Sequence, residues 1–467
     1  MSRHWILAVL GTAFFVVVLD STIVYVALPS IADELAFVPG DVQWVLSAYL
    51  VTFGGLLLFG GRVADLLGRR RVFLVGIAIF TVASVVCGSA TDPAVLVGAR
   101  VLQGAGAAVM APTALSLVLT TFEPGPERNR ALGIWGGIGG VGGTAGLLLG
   151  GPITQLWGWQ WIFLVNLPVG VLLLAASARL LPDGRAVNLP RAFDVAGAFT
   201  VTGSLVLLVL GITEASWPAL LAAALLMATF VLVERRAVAP LVPWRVVRSR
   251  RLVAGNLLLL VAGMCVDGVL LVLTLAAQES QGMSPVQFGL TTAAMTGASV
   301  VGSFVGQAVV TRTGVRAVAR AGMALLAVGS LALTTLPLVV GLVVFGAGLG
   351  AAFVSAQIAA VSAAAAGDSG LAAGIADTSF AVGGALGVAV LSTIGGTRNA
   401  LVVAAVVAVV GLVGAAARRA PSSPSRGTGR SRTTRPGRSE STTTRSASSS
   451  ASSTSCVTST TARPAPS

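Results

Sequence analysis

The sequence is poor in the residues from which most catalytic and metal sites are built. Its 467 residues include one histidine, His4, and three cysteines, Cys87, Cys265 and Cys456. The histidine stands beside the N-terminus, so no histidine cluster or catalytic triad can form, and the cysteines lack metal-ligand or disulfide spacing. We therefore expect neither an enzyme nor a protein that holds a metal or another cofactor.

Charged residues are also scarce, and lysine is absent. They make up 10% of the chain, against about 25% in soluble domains. Hydrophobic residues make up 55%, and the mean hydropathy is +0.91. The apolar residues form long runs, and about 20 of them span a bilayer. The composition therefore predicts an all-α polytopic membrane protein with lipid around most of its surface.

Fourteen runs are long enough to cross a bilayer. The predicted spans are 5–29, 42–61, 72–90, 93–118, 131–153, 160–180, 195–213, 217–234, 252–277, 285–308, 317–337, 339–361, 370–394 and 400–417. The first run ends without a small-residue cleavage site, so we interpret it as a retained helix rather than a signal peptide.

The distribution of arginine predicts the topology. All 30 basic residues are arginine, and the formal net charge is +13. Most of them lie in alternate short gaps between spans or in the last fifty residues, and cytoplasmic loops are the ones that collect basic residues. We therefore expect a multi-pass protein of the plasma membrane with both termini in the cytoplasm, and not a nucleic-acid-binding protein. Residues 418–467, rich in Ser, Thr, Arg and Pro, are predicted to form a disordered cytoplasmic tail.

Four ionisable residues fall inside predicted spans, namely Asp20, Arg100, Asp267 and Asp377. A charge at bilayer depth costs at least about 2.5–3.5 kcal/mol, so such a residue faces protein or water. At about 1.5 Å per residue, Asp20 and Arg100 lie at nearly the same depth, roughly 20 Å from the inner edge. Burial favours the neutral carboxyl and a guanidinium favours the carboxylate. The pair therefore suits a proton carrier, the alternative being a permanent structural ion pair.

The other two carboxyls leave more alternatives open. Asp267 lies at mid-to-outer depth in span 9, where it could bind a cation or a second proton, or be held by a neighbouring amide or hydroxyl. Asp377 lies two turns into span 13, where snorkelling or helix-end capping competes with a role in a pathway. In span 5, Gly142, Gly146 and Gly150 recur every four residues, which predicts close approach of a neighbouring helix.

Several stretches resemble motifs of the major facilitator superfamily, and within it the fourteen-span drug:proton antiporters. They are GRVADLLGRRR (Gly61–Arg71), LDSTIVYVALP (Leu19–Pro29), ARVLQGAGAA (Ala99–Ala108), AGLLLGG (Ala145–Gly151), WIFLVNLPVG (Trp161–Gly170) and GGALGVAVL (Gly383–Leu391). The resemblance covers spans 1 to 14 and omits the tail. It implies two six-helix bundles plus two extra central helices. The corresponding divisions are 1–181, 182–236, 237–417 and 418–467.

The resemblance also implies roles for particular residues. Asp20 would be the carboxylate that takes up the proton, with Arg100 linked to its transfer. Candidates for the pathway or the substrate are Gln103, Asp267, Asp377 and Tyr25. The gating residues would be Gly61, Arg62, Asp65, Gly68, Arg69 and Arg70. Packing or hinge residues in span 5 would be Gly142, Gly146, Gly150, Gly151 and Pro152.

This chain departs from the motif pattern at several positions. Leu147 stands where span 5 usually has Pro, although Pro152 follows, so the expected hinge would be shifted. Tyr25 stands where the first-span motif usually has Asn. In span 13, Asp377, Phe380 and Ala381 replace the usual Asn, Arg and Gln, which puts the usual range of substrates in doubt.

The resulting hypothesis is a proton-coupled exporter of small hydrophobic or cationic compounds that works by alternating access. One inward proton releases about 2.3 kcal/mol per 100 mV of potential, so the proton gradient would supply the energy and no cofactor is expected. We expect a monomer whose partners are a small-molecule substrate and the lipid bilayer. Two alternatives remain, a proton-coupled importer of a small solute and a non-transporting membrane sensor or scaffold.

Overall fold

A computed structural model describes residues 3–38, 40–123, 126–181, 194–237, 240–242, 248–361 and 369–416. Within these ranges the secondary structure is helical, with fourteen long helices and no strand. The predicted tail, 418–467, lies outside the described residues.

The helices follow one another with short connections. Their bounds are α1 (Arg3–Glu34), α2 (Trp44–Leu67), α3 (Arg69–Gly88), α4 (Pro93–Thr121), α5 (Pro126–Trp157), α6 (Gln160–Leu180), α7 (Val195–Thr213), α8 (Trp217–Arg236), α9 (Arg250–Leu275), α10 (Pro285–Thr313), α11 (Val315–Ala332), α12 (Leu338–Val361), α13 (Ser369–Ser392) and α14 (Thr397–Ala416). Helix α6 is interrupted at Val165. A π-helical turn, Ala276–Ser280, extends α9.

The predicted spans agree closely with these helices. Thirteen described helices are long and apolar enough to cross a membrane, and the glycine-rich α5 is a further helix of 32 residues. The all-α polytopic fold is therefore confirmed. The predicted end of span 11 at 337 is wrong, because α11 ends at Ala332 and the chain turns before Pro337. A residue that precedes proline is disfavoured in helical conformation.

Two helices that begin at the membrane face opposite the N-terminus carry clear local signals at their starts. At α4, the Asp92 side chain accepts a hydrogen bond from the Val95 N–H at 3.0 Å, and Pro93 occupies the first turn. At α10, Ser284 and Gln287 form a reciprocal capping box, and Pro285 occupies the first turn. These side chains satisfy backbone donors that a helix start leaves unpaired.

The helices form two groups of six with matching contacts. In the first group α1 packs on α5, α2 on α4, and α3 on α4 and α6; in the second, α9 packs on α13, α10 on α12, and α11 on α12 and α14. The groups meet where α5 contacts α10 and where α2 contacts α13. The same arrangement therefore occurs twice in the chain, as in many transporters. The proposed limits at 181–182 and 236–237 stay predictions.

The two extra helices lie beside one of these seams. Helix α7 packs on α8 and also contacts both α2 and α13. In α8 the buried described residue is Ala223, so most of this helix faces outward. The extra pair is thus anchored to both groups through α7.

The glycine repeat of α5 packs against α1, as close-packing patterns of this kind predict. A Cβ atom on Gly146 would lie 2.7 Å from the carbonyl oxygen of Leu19, and one on Gly150 would lie 2.9 Å from that of Ile23. A Cβ on Gly142 would lie 3.1 Å from the carbonyl oxygen of Phe15. The predicted close approach is confirmed, and the partner is the helix that carries Asp20.

Gly151 packs on a different neighbour. A Cβ atom there would lie 2.5 Å from the carbonyl oxygen of Pro285 on α10, and Gly289 of α10 in turn lies against the carbonyl of Leu147. Helix α5 runs unbroken through Pro152. This end of α5 is therefore part of the seam between the two groups, and Leu147 is fully buried in it.

Candidate functional site

Asp20 of α1 and Arg100 of α4 form an ion pair deep inside the first helix group. Arg100 Nη1 lies 2.6 Å from Asp20 Oδ2, and both side chains are 0% exposed. The depth argument from the sequence predicted that these residues would meet, and the structure brings them together. Their role in proton transfer stays a prediction.

The guanidinium of Arg100 is held on several sides. Its Nη1 also donates to Gln103 Oε1 at 2.6 Å, and its Nε donates to the backbone carbonyl of Val45 at 3.0 Å. Its carbon Cζ lies 4.2 Å from the centre of the Tyr49 ring and 5.7 Å from that of Phe163. Charge-assisted bonds and aromatic faces stabilise a cation that water cannot reach.

The second oxygen of Asp20 accepts two amide donors. Gln103 Nε2 and Asn166 Nδ2 each lie 2.7 Å from Asp20 Oδ1. Ser84 Oγ accepts from Gln103 Nε2 at 2.8 Å and from Asn166 Nδ2 at 3.4 Å. We call Asp20, Arg100, Gln103, Asn166 and Ser84 the Asp20 network. Its donors replace the water that a buried carboxylate would otherwise need.

The sequence analysis missed three residues at this site, Asn166, Ser84 and Tyr49. Asn166 had a signal, because it is an amide within the apolar stretch WIFLVNLPVG that the resemblance had already singled out. It begins the second part of α6, directly after the interruption at Val165. Ser84 and Tyr49 lie in apolar runs, and nothing in their spacing showed that they face Asp20.

A separate polar contact, outside the Asp20 network, joins the two helix groups. Tyr25 of α1 donates its hydroxyl to Asp267 Oδ1 of α9 at 2.9 Å. Asp267 is half-buried, and its Oδ2 lies against Gly384 of α13, where a Cβ atom would collide with it. The alternative of a carboxyl held by a neighbouring hydroxyl is therefore observed. That the hydroxyl comes from Tyr25 was not predicted.

Asp377 lies apart from these two sites. Its Oδ1 accepts a hydrogen bond from Gln357 Nε2 of α12 at 2.9 Å. Phe380, one turn further along α13, meets Phe353 edge to face with ring centres 5.2 Å apart. The bond to Gln357 lies within the second helix group, so neither snorkelling nor helix-end capping describes this side chain.

The predicted gating segment is almost entirely helical. Gly61, Arg62 and Asp65 belong to the last two turns of α2, and α3 begins at Arg69. Only Gly68 lies between them, with φ +98°, a backbone conformation that favours glycine. The predicted gap between spans 2 and 3, residues 62–71, is thus corrected to a one-residue turn.

Two charged contacts stabilise this turn. Arg69 Nη2 lies 2.9 Å from Asp65 Oδ1, and Arg70 Nη2 donates to the carbonyl of Ala178 on α6 at 2.5 Å. The Asp65–Arg69 pair is partly exposed, so it contributes little to stability. A role for it in gating stays a prediction.

Three hydrogen bonds between described residues cross from one helix group to the other. They are Tyr25 to Asp267, Gln278 Nε2 to the carbonyl of Val26 at 3.0 Å, and Ser392 to Gln43. Each lies towards the membrane face opposite the N-terminus, because α1, α9 and α13 end there and α2 begins there. We call this face the outer face, after the predicted topology with cytoplasmic termini. The helix groups are thus joined at their outer ends.

Comparison with known sequences assigns the family. The sequence model of the Major Facilitator Superfamily matches residues 10–275 and 255–461. The chain belongs to this superfamily. As a member of the superfamily it is a multi-pass membrane protein, and the resemblance found in its motifs is confirmed.

Similar proteins include several from species of Streptomyces and Amycolatopsis. The chain is 38% identical to "Puromycin resistance protein pur8" of Streptomyces alboniger over 424 residues. This aligned region covers 86% of this chain and 84% of that protein. It is 37% identical over 413 residues to "Tetracenomycin C resistance and export protein" of Streptomyces glaucescens, covering 85% and 77%. To "Cephamycin export protein CmcT" of Amycolatopsis lactamdurans it is 44% identical over 290 residues, 60% of each chain.

A solved structure supports the superfamily fold. The crystal structure of the human organic anion transporter MFSD10 (TETRAN) superposes on 89% of this chain and 100% of its own, with a TM-score of 0.59. Sequence identity is 17%, so this likeness concerns the fold alone.

Proposed function

We propose that this superfamily member is a proton-coupled exporter of small hydrophobic or cationic compounds in the plasma membrane, with both termini in the cytoplasm. The observation that carries the proposal is the Asp20 network, a carboxyl buried at mid-membrane depth beside a buried guanidinium. The names of the similar proteins, which concern resistance to and export of antibiotics, support the direction of transport and this class of substrate.

The geometry suggests how the proton site works. Asp20 takes up a proton when the outer face is open and releases it when the inner face is open. The amides of Gln103 and Asn166 remain in place in both states and hold the carboxyl, whereas the charge of Arg100 is offset only when Asp20 is ionised. Protonation therefore changes the net charge of a dry cluster, which alters the balance between the two arrangements of the helix groups.

The test compares Asp20→Asn with Asp33→Asn in vesicles. Asp33 is exposed near the outer end of the same helix, so it controls for loss of a carboxylate from α1. With an imposed pH gradient and puromycin or tetracenomycin C as probes, Asp20→Asn should reduce proton-driven transport to the level of empty vesicles. The Asp33 variant should transport like the wild type.

Both variants are first checked for folding by size-exclusion chromatography. Proton-driven transport by folded Asp20→Asn at the wild-type rate would reject the assignment. Transport in the opposite direction under the same gradient would identify an importer instead.

A further inference from the structure

Tyr25 and Asp267 connect the two helix groups through their side chains. Tyr25 is 1% exposed, and its hydroxyl lies 2.9 Å from Asp267 Oδ1. Tyr25 replaces the Asn that is usual at this position of the first-span motif. Tyr25 lies five residues beyond Asp20 on α1. The bond therefore pairs a residue that departs from the motif with a carboxyl on the other helix group.

None of the ion pairs found between described residues involves Asp267. The helices that pack on α9 carry two other carboxyls inside the membrane-spanning region. Asp20 of α1 is already paired with Arg100, and Asp377 of α13 is bonded to Gln357. Helix α12 carries no charged residue, and Arg398 of α14 lies at the outer end of that helix.

The strength of the bond depends on the charge of Asp267. A hydroxyl that donates to a carboxylate forms a bond about twice as strong as one between neutral partners. Ionised Asp267 therefore binds Tyr25 tightly and keeps the outer ends of the groups together. Neutralisation of Asp267, by a proton or by a positively charged group of a substrate, weakens the bond.

We propose that the Tyr25–Asp267 bond is a charge-sensitive outer latch that makes exchange obligatory. The inference rests on the proposed proton-coupled export. After the proton has left for the cytoplasm, ionised Asp267 holds the empty transporter closed at its outer face. With the outer face closed, only a positively charged substrate or a proton from the cytoplasm can neutralise Asp267 and allow outward opening, so no net proton passes inward without export.

The latch predicts a proton leak when it is removed, and this test needs no substrate. Purified protein is reconstituted in liposomes with a pH-sensitive dye inside and an inward proton gradient. Tyr25→Phe and Asp267→Asn should raise proton influx about tenfold or more, since a hydrogen bond to a charged group contributes about 1.5–3 kcal/mol. Asp267→Asn keeps the volume of its side chain, so it provides a second test if Tyr25→Phe fails to fold.

Thr274→Val is the matched control. Thr274 is a buried residue of α9 whose hydroxyl bonds within its own helix, to the carbonyl of Leu270. Its removal should leave proton influx at the wild-type level. If folded Tyr25→Phe and Asp267→Asn leak no more than Thr274→Val, the latch is overturned.

The double variant Tyr25→Phe with Asp20→Asn separates the latch from the proposed function. If the leak passes through Asp20, the double variant should return to the influx of empty liposomes. A leak that persists in the double variant would reject Asp20 as the proton site and so the proposed mechanism. If the wild type exports its probe with proton coupling but Tyr25→Phe does not raise proton influx, the latch alone is rejected.

A distance measurement gives an independent readout. Spin labels at Val38 and Leu336, both exposed at the outer face, report the separation of the two groups in a chain whose native cysteines are replaced by serine. Tyr25→Phe should shift the distribution to longer distances, whereas Thr274→Val should not. An unchanged distribution in Tyr25→Phe would contradict the latch.

Discussion

Asn166 donates its side-chain amide to the same oxygen of Asp20, Oδ1, that accepts the amide of Gln103, each at 2.7 Å. The two donors come from α6 and α4, so Asp20 on α1 is held by two helices besides its ion pair. The carboxyl is therefore fixed in direction before any proton arrives. Charge-assisted bonds of this kind are among the stronger ones in proteins.

Replacing Asn166 by alanine should slow proton-driven transport by about tenfold, because a bond to a charged group contributes about 1.5–3 kcal/mol. The measurement is the initial transport rate in vesicles under a fixed pH gradient. Asn256→Ala is the control, since Asn256 is an amide in α9 outside the Asp20 network. Equal rates for the two variants would show that Asn166 does not act on Asp20.

Arg100→Lys should lose transport nearly as completely as Arg100→Ala. A lysine ammonium could approach Asp20, but it has no second nitrogen for the Val45 carbonyl and no planar group to stack on the Tyr49 ring, whereas Arg100 has both. Transport is measured as above, with Arg3→Lys as the control because Arg3 forms an exposed ion pair with Glu127. Full activity of Arg100→Lys would mean that positive charge alone is sufficient.

The sequence predicted the meeting of Asp20 and Arg100 because helix rise fixes how deep each residue lies, whatever the packing. It did not predict that Tyr25 meets Asp267, since that contact depends on how the two helix groups are rotated against each other. Likewise, the glycine repeat of α5 predicted a close neighbour but not that the neighbour is α1. Depth and periodicity are local properties of one helix, whereas the facing of a side chain is set by several helices together.

Gly146→Ala should destabilise the protein by about 1–3 kcal/mol, the usual range for an overpacked position. The added methyl group would lie 2.7 Å from the Leu19 carbonyl oxygen and 3.0 Å from the Ile23 nitrogen, which is too close. Gly143→Ala, three residues earlier on α5, is the control, since its nearest atoms lie 3.9 Å away. Thermal unfolding in detergent compares the two, and identical midpoints would refute the close packing of α1 and α5 at this position.

Gly68→Ala should also lower the unfolding midpoint, for a different reason. Gly68 has φ +98°, and a side chain there is strained by roughly 1–2 kcal/mol. Gly98→Ala in α4 adds a methyl group where nothing lies within 4 Å, and alanine is a better helix former than glycine. That control should unfold at the same temperature as the wild type or above it. A neutral Gly68→Ala would show that the turn can adopt another backbone conformation.

Helix α7 has a consequence for how a compound dissolved in lipid could reach the interior. It covers the seam between α2 and α13 by packing on both, so a molecule that arrives there from the membrane meets α7 first. At the other seam, α5 and α10 turn large apolar side chains outward, among them Val141 and Phe304. Among the described helices, the seam between α5 and α10 is therefore the one that faces lipid without a covering helix.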